Sequence, residues 1–346
     1  KEPVRLAAGL TASKVLDGLS QLRALEALRR FGERLRGMDA GAVRAVATNT
    51  LRVAKNAPQF LIQAEAALGF PIEVIAGREE ARLIYVGVAH SLPNPSTQHL
   101  VIDIGGGSTE FIIGSSFEPI VLESLYMGCV GYSVQCFPRG KLDKKGFRDA
   151  ELAARRELQA LARHFLDVGW QQAVGSSGTA KALLDLIELN GIGAGGITRT
   201  GLARLKERLI RAGDVNSAGL AGLRTDRVPV LPGGLAIMTA VFDVFGLDCM
   251  TFSDGALRLG VLYDLLGRYH HHDLRDATVR QFMQRYGVEE AQAERVRATA
   301  FALARQLIPE TVDPEHLDAR YLDWAARLHE IGVSVAHASY HKHSAY

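Results

Sequence analysis

The sequence predicts an α/β protein followed by a separate all-helical module. Three observations predict it. Up to about residue 270, short apolar stretches alternate with segments of helical periodicity, the pattern of a parallel or mixed sheet with helices on its faces. From Asp273 onward the strand signals vanish. At 346 residues the chain is also too long for one typical domain.

The elements follow in order. Ser20–Arg36 places Leu22, Leu25, Leu28, Phe31 and Leu35 on one face and stops at Gly37, an amphipathic helix. Val43–Thr48 reads as a strand. Asn56 with Pro58 in the first turn opens a helix that runs to Gly69. Pro71–Ile75 reads as a strand, Arg78–Ala89 as a helix, Ser91–Gln98 as a linker and Leu100–Ile104 as a strand. Three times an apolar strand then runs into a turn of small residues: LVIDIGGGST, QAVGSSGTA and CMTFSDGAL. The last two turns feed helices, Ala180–Leu189 and Ala256–Leu266, and the first leads into another strand, Glu110–Ile113. Asp273–Tyr286, Glu289–Leu307 and Leu317–Ala338 read as the helices of the tail.

Composition excludes some functions. Forty Lys and Arg against 38 acidic residues leave no global field toward nucleic acid or membrane, so anion affinity must be local. No apolar run approaches a membrane span and no signal peptide is visible. Cys129, Cys136 and Cys249 are odd in number and lack metal spacing, which points to a reducing, cytoplasmic setting; peripheral membrane association is the one other setting considered. The chain opens on Lys1 rather than Met, and is read as a segment.

The sharpest chemical feature is Asp103-Ile-Gly-Gly-Gly-Ser-Thr-Glu110 between two apolar strands. Three residues without Cβ let backbone N–H groups approach a ligand, and such a cradle suits phosphate, with the Ser108 and Thr109 hydroxyls as further donors. Asp103 and Glu110 supply oxygens of the kind Mg²⁺ shares with phosphate. The bland reading is a plain Gly turn with solvated acids. No Lys follows and no helix opens at Gly107, so neither common nucleotide loop fits.

Weaker candidates surround it. In Gly77-Arg-Glu-Glu80 one acid could activate water, yet acids in a first helical turn are ordinary dipole partners, and spacing does not choose between Glu79 and Glu80. Thr48–Arg52 could bring Arg52 to a phosphate. Gly175–Thr179 sits at a strand end, where open sheets hold ligands. Arg139, Lys141, Lys144, Lys145 and Arg148 form a basic cluster, by default a solvated face. In the tail His329 and His337 lie two turns apart on one expected helix face, with His341 and His343 beyond, too few ligands for a closed metal shell.

The ordered set GREEARLIYVGVAH, VIDIGGGSTEFIIG, ESLYMGCVGYSVQCFP, GSSGTAKAL, ITRTGLARL, SDGALRLGVLYDLLGRYHHHDLRDATVR and RLHEIGVSVAHASYHKHSAY resembles the exopolyphosphatase / guanosine pentaphosphate phosphohydrolase family over essentially the whole chain, the exopolyphosphatase branch more than the other. The resemblance implies two ribonuclease-H-like domains of the actin/Hsp70/sugar-kinase type, residues 1–90 and 91–268, and a helical HD-like domain, 269–346, truncated at both ends. It implies Glu80 as catalytic base, Asp103 and Glu110 as holders of Mg²⁺ or another divalent cation, Gly105, Gly106, Gly107, Ser108 and Thr109 as phosphate cradle, and Arg52 as a contact to the phosphate chain. The implied reaction releases terminal orthophosphate from inorganic polyphosphate, and the implied assembly is a homodimer. Lys144, Lys145, Arg268, His341, Lys342 and His343 are the candidates for a polyphosphate track. Three departures bear on this. The family's first phosphate loop is not found here, the helical part stops early, and Leu259 stands where the family usually has Glu, which puts a salt link near the domain junction in doubt. Hydrolysis of guanosine pentaphosphate is the nearest rival, then a non-catalytic polyphosphate- or nucleotide-binding regulator, then a sugar kinase. Nucleic acid is not an expected partner.

Overall fold

The computed structural model describes residues 2–344 apart from 3, 12, 270–273, 309–316 and 335–338. The chain divides into two compact units, residues 1–265 and 266–346.

The first unit opens with a small lobe. Helix α1 (Gly18–Leu35) starts where the Asp17 carboxylate accepts from Ser20 N at 2.7 Å, a side-chain cap for a free helix donor. It packs on α3 (Ala57–Leu68), with Leu16, Ala24, Leu25, Phe60 and Ala64 buried between them. Strands β1 (Ala45–Ala47) and β2 (Ile72–Val74) pair in parallel, Ala45 opposite Ile72. They are shorter than the pattern predicts, and among the described residues they form a two-stranded sheet. The short helix α2 (Asn49–Val53) follows β1.

Helix α4 (Gly77–Ala89) leads out of this lobe, and every residue from Glu80 to Ala89 is buried. It covers a six-stranded sheet of order β5-β4-β3-β6-β8-β7. Strands β3 (His99–Ile104), β4 (Thr109–Ser115) and β5 (Glu118–Leu125) run antiparallel; β6 (Gln172–Ser176) and β8 (Cys249–Phe252) add in parallel to β3, and β7 (Ile197–Thr198) closes the edge antiparallel. The two-residue period of a strand sorts the side chains. Leu100, Ile102, Ile104, Phe111 and Ile113 face a core shared with α5 (Cys129–Cys136), α6 (Lys144–Val168), α7 (Ser177–Leu189), α8 (Arg199–Ala212) and α9 (Leu231–Val244). Val101, Ile112, Leu122 and Val174 face the other way, onto Ala81, Ile84, Tyr85 and Val88 of α4. Thus α4, assigned by sequence to the first domain, packs on the sheet of the second.

Helix α10 (Leu257–Tyr269) crosses α4 closely: a Cβ on Gly260 would fall 1.7 Å from the Leu83 carbonyl oxygen, and one on Gly87 2.3 Å from that of Ala256. Only glycine permits that approach.

In the second unit α11 (Leu274–Arg285), α12 (Glu290–Leu307) and α13 (Leu317–Leu328) gather around Val279, Met283, Ala293 and Trp324. The Trp324 ring lies under the Arg275 guanidinium at 4.2 Å and its Nε1–H donates to Asp276 Oδ1 at 2.7 Å. The continuous helix expected over 317–338 ends at Leu328. Gly332 sits against the backbone of α14 (Tyr340–Ser344), where a Cβ would lie 2.1 Å from Tyr340 O. The Ser344 hydroxyl accepts from Gly332 N and donates to His329 O, satisfying groups a longer helix would have bonded internally. His329 lies just past the end of α13, and His337 lies outside the described residues.

Candidate active site

The face of the sheet that α4 covers ends in a polar row. Asp103 stands opposite Glu110 on β4 and Ser176 on β6, and Glu110 opposite Ser124 on β5. Alternation from Val101, Ile112, Leu122 and Val174 puts all four polar residues on the α4 side. The Ser124 hydroxyl donates to Glu110 Oε1 at 2.8 Å. Gly77 at the start of α4 lies against Ser124, where a Cβ would be 2.7 Å from the Ser124 Cβ, so the first turn of α4 comes down on this row.

That turn carries both acids left open by spacing, and the structure separates them. Glu79 is held by Arg82, with Nε and Nη2 at 2.8 Å from its two oxygens. Glu80 lines the cavity and accepts from Arg52 Nη1 at 2.8 Å. The same Arg52 nitrogen donates to Ile75 O at 2.9 Å, so Arg52 supports Glu80 and is not part of the cavity wall.

Glu80, Asp103 and Glu110 are all buried, and charge is costly there. Burial pushes the Glu80 carboxyl up against the opposing pull of Arg52 and Thr48. It lifts Asp103 to about 6, against the Ser176 hydroxyl and with a push from the Glu80 charge. Glu110 is held well above the usual carboxylate range, by burial and by both neighbouring carboxylates, with Ser108 and Ser124 working against.

The glycine turn is clamped from behind. The carbonyls of Gly105 and Gly106 accept from Cys129 N and Val130 N at 3.0 Å, the free donors of the first turn of α5. Gly128 makes this fit, since a Cβ there would lie 2.3 Å from Gly106 O. Among the described residues the amides of Gly106 and Gly107 have no hydrogen-bond partner. None of the three glycines has positive φ; close approach requires Gly107, where a Cβ would fall 2.2 Å from Asn49 Nδ2, and crowds Gly105, at 3.1 Å from Ser108 O, while one on Gly106 would make only ordinary contact. One expectation is corrected: Thr109 is fully buried and donates its hydroxyl to Met127 O, so it offers no donor to a ligand. Thr109 is needed to hold the strand end.

Gly105 to Ser108 with Glu80 form one wall of a cavity of about 420 Å³. The same lining includes Arg5, Thr48, Asn49, Cys129, Ser177, Gly178, Asp226 and Arg227. The first residues of α5 (Cys129, Val130) and of α7 (Ser177, Gly178) line this space, and helix N-termini favour anions. Ser177, at φ 81, accepts from Thr179 N with its hydroxyl, taking up a free donor in the first turn of α7. Arg5, Asn49 and Arg227 escaped the sequence reading; the one signal was the polar run Arg224-Thr-Asp-Arg227 before a proline.

The remaining candidates lie elsewhere. Lys144 and Lys145 are exposed on α6 and line no part of this cavity; Lys145 pairs with Asp149 at 2.6 Å. His341, Lys342 and His343 are exposed on α14 in the second unit. The Arg268 side chain lies outside the described residues. Among the described residues no helix is long and apolar enough to cross a membrane, and no group of three or more His, Cys, Asp or Glu converges to hold a metal ion by itself. On the same helix as Leu259, Asp264 bonds Arg82 at 2.6 Å and Arg44 at 2.7 Å.

Comparison with known proteins identifies the family. Residues 1–269 match the Ppx/GppA phosphatase family and residues 274–346 its domain III. The chain belongs to the Ppx/GppA phosphatase family. It is 39% identical over its entire length to a guanosine-5'-triphosphate,3'-diphosphate pyrophosphatase of Aeromonas hydrophila subsp. hydrophila, covering 69% of that protein. Among solved structures it resembles an exopolyphosphatase from Cytophaga hutchinsonii (TM-score 0.66, 24% identity, 76% of this chain and 87% of that one). It also resembles the Aquifex aeolicus family member (TM-score 0.60, 24% identity, 78% and 88%). The fold class expected from the family, an α/β body of the actin/Hsp70 type with a helical third domain, is therefore the fold of this chain. As a member of a phosphatase family it is a hydrolase.

Proposed function

We propose that this Ppx/GppA protein hydrolyses the terminal phosphoanhydride of guanosine 5'-triphosphate 3'-diphosphate, releasing orthophosphate. The observation that carries the chemistry is Glu80, buried, lifted in pKa and opening onto a cavity beside unpartnered glycine amides. The nucleotide is chosen because the 39% identical relative, matched along the whole chain, bears that substrate in its name.

In this reading water attacks the terminal phosphorus, the bond to the bridging oxygen breaks, and the departing nucleotide keeps that oxygen. Glu80 takes the proton of the attacking water, and its raised basicity brings it nearer the working pH of a general base. Arg52 fixes the carboxylate direction. The amides of Gly106 and Gly107, the Ser108 hydroxyl and the start of α7 receive phosphoryl oxygens, with Arg5 and Arg227 on the same cavity lining. Phosphoryl transfer asks mainly for such positioning and charge neutralisation.

Asp103 and Glu110 would hold a divalent cation. Three mutually repelling buried carboxylates fit a hard cation that takes two of them and fills its shell with phosphate and water, as Mg²⁺ does. When bound, the cation supplies charge neutralisation at the phosphate.

Inorganic polyphosphate is the second reading. What favours it is that the cavity lining contains no aromatic side chain on which a base could stack.

The test is phosphate release by the intact protein from both substrates, with Mg²⁺ added or chelated. Glu80→Gln should lower turnover by roughly 10²–10⁴-fold while binding persists. Near-normal turnover in that variant would remove Glu80 from the mechanism. A higher kcat/KM on long-chain polyphosphate than on the nucleotide would reverse the order of the two readings.

A further inference from the structure

The first turn of α4 is held by a buried charge cluster that touches neither the cavity nor any expected ligand. Its centre is Asp264 on α10, whose side chain is fully buried. One oxygen accepts from Arg82 Nη2 at 2.6 Å, the other from Arg44 Nη1 at 2.7 Å. Arg82, 1% exposed, reaches back with two nitrogens to Glu79, the residue next to Glu80. Arg44, before β1, also contacts Glu73 on β2 at 3.0 Å. A planar guanidinium bonded to Glu79 on one side and Asp264 on another fixes orientation as well as distance.

The surroundings make this a rigid reference. The glycine contacts between α4 and α10 leave no room for sliding, and Ile75, Leu83 and Val261 pack beside the cluster. Glu79 and Glu80 are consecutive, so they leave the helix about 100° apart. Holding Glu79 toward Arg82 directs Glu80 toward Arg52 and the cavity.

We propose that Asp264 is a positioning residue for hydrolysis, acting through Arg82 and Glu79 to hold the first turn of α4 and so to aim Glu80. This rests on Glu80 being the base.

The experiment is a double-mutant cycle on the intact protein, reading kcat and KM for phosphate release. Asp264→Asn keeps shape but removes the charge both arginines face. It should lower kcat at least tenfold with KM little changed, because substrate contacts lie on other elements. Placed on Glu80→Gln, the same substitution should have no further effect on kcat. Glu79→Gln, at the solvent side of the cluster, should act in the same direction more weakly, and it serves if Asp264→Asn does not fold. An equal loss from Asp264→Asn with and without Glu80 would mean bulk destabilisation and overturn the proposal. So would unchanged kcat in folded Asp264→Asn, or in Glu79→Gln if that is the variant tested. Near-normal turnover in Glu80→Gln alone would instead sink the assignment of the base, a separate result.

Discussion

At the scale of single residues, the buried acids set a pH dependence whose sign is unusual for carboxylates. Asp103 goes from 3.8 to about 6 on folding, chiefly by burial. A raised pKa means that its contribution to stability is full below 3.8 and lost as pH rises through about 6. The loss amounts to about 3 kcal/mol in metal-free protein. Asp103→Asn abolishes this titration. In chelator, the melting temperature of the variant should therefore exceed that of the wild type by more at about pH 7.5 than at about pH 4.5. Mg²⁺ should then narrow the gap from the wild-type side. A gap independent of pH would mean that Asp103 is hydrated in the folded protein. Sequence could find Asp103 and Glu110, since their register follows from a hairpin around three glycines. It could not separate Glu79 from Glu80 by spacing, because what separates them is Arg82 and a partner 182 positions later. It also misassigned the Thr109 hydroxyl: the carbonyl that takes it, Met127, belongs to a loop with no local signature.

Elements were legible where amphipathic period and caps agreed, and illegible where tertiary packing decided. Helix α1 shows the first case in its extent, with Gly37 as its stop, although Leu22 of the expected stripe is exposed. The end of α13 shows the second, because its periodicity runs on while Gly332 and Ser344 close it from outside. The crossing of α4 and α10 is equally hidden, since Gly87 and Gly260 look like ordinary helix-weakening residues in the sequence. Their roles can be weighed. Gly260→Ala would place a Cβ 1.7 Å from a backbone oxygen, a rigid neighbour, and should cost at least the about 1–3 kcal/mol typical of overpacking. The control is Gly131→Ala on α5, where a Cβ meets nothing within 4 Å; it should raise stability by roughly 0.5–1 kcal/mol. Thermal melts moving in opposite directions would support the close crossing. Two equal, small shifts would mean that α4 and α10 are free to part.

For the whole molecule, the question is what the helical unit does for a site it does not contain. All residues lining the cavity, and the acids beneath it, lie in residues 1–265. Each unit also has its own apolar clusters: the described cores of the first end at Val261, and that of the second spans Val279 to Leu328. A chain cut after Tyr269 keeps α10 whole, hence Asp264 and the clamp on α4. It should fold, which circular dichroism and a cooperative melt would check first. It should also hydrolyse guanosine pentaphosphate with a KM near that of the intact protein, since a single nucleotide needs only the cavity. Long polyphosphate is different, because binding summed over many phosphates depends on how many cations lie along the path. The cut removes exposed His341, Lys342 and His343 and leaves Lys144 and Lys145 in place. If Lys342 lies on that path, affinity for long chains should fall and its dependence on salt should become shallower. If a folded truncation binds long chains as tightly as before, with the same salt slope, the helical unit is no substrate track, and assembly or regulation becomes its remaining role.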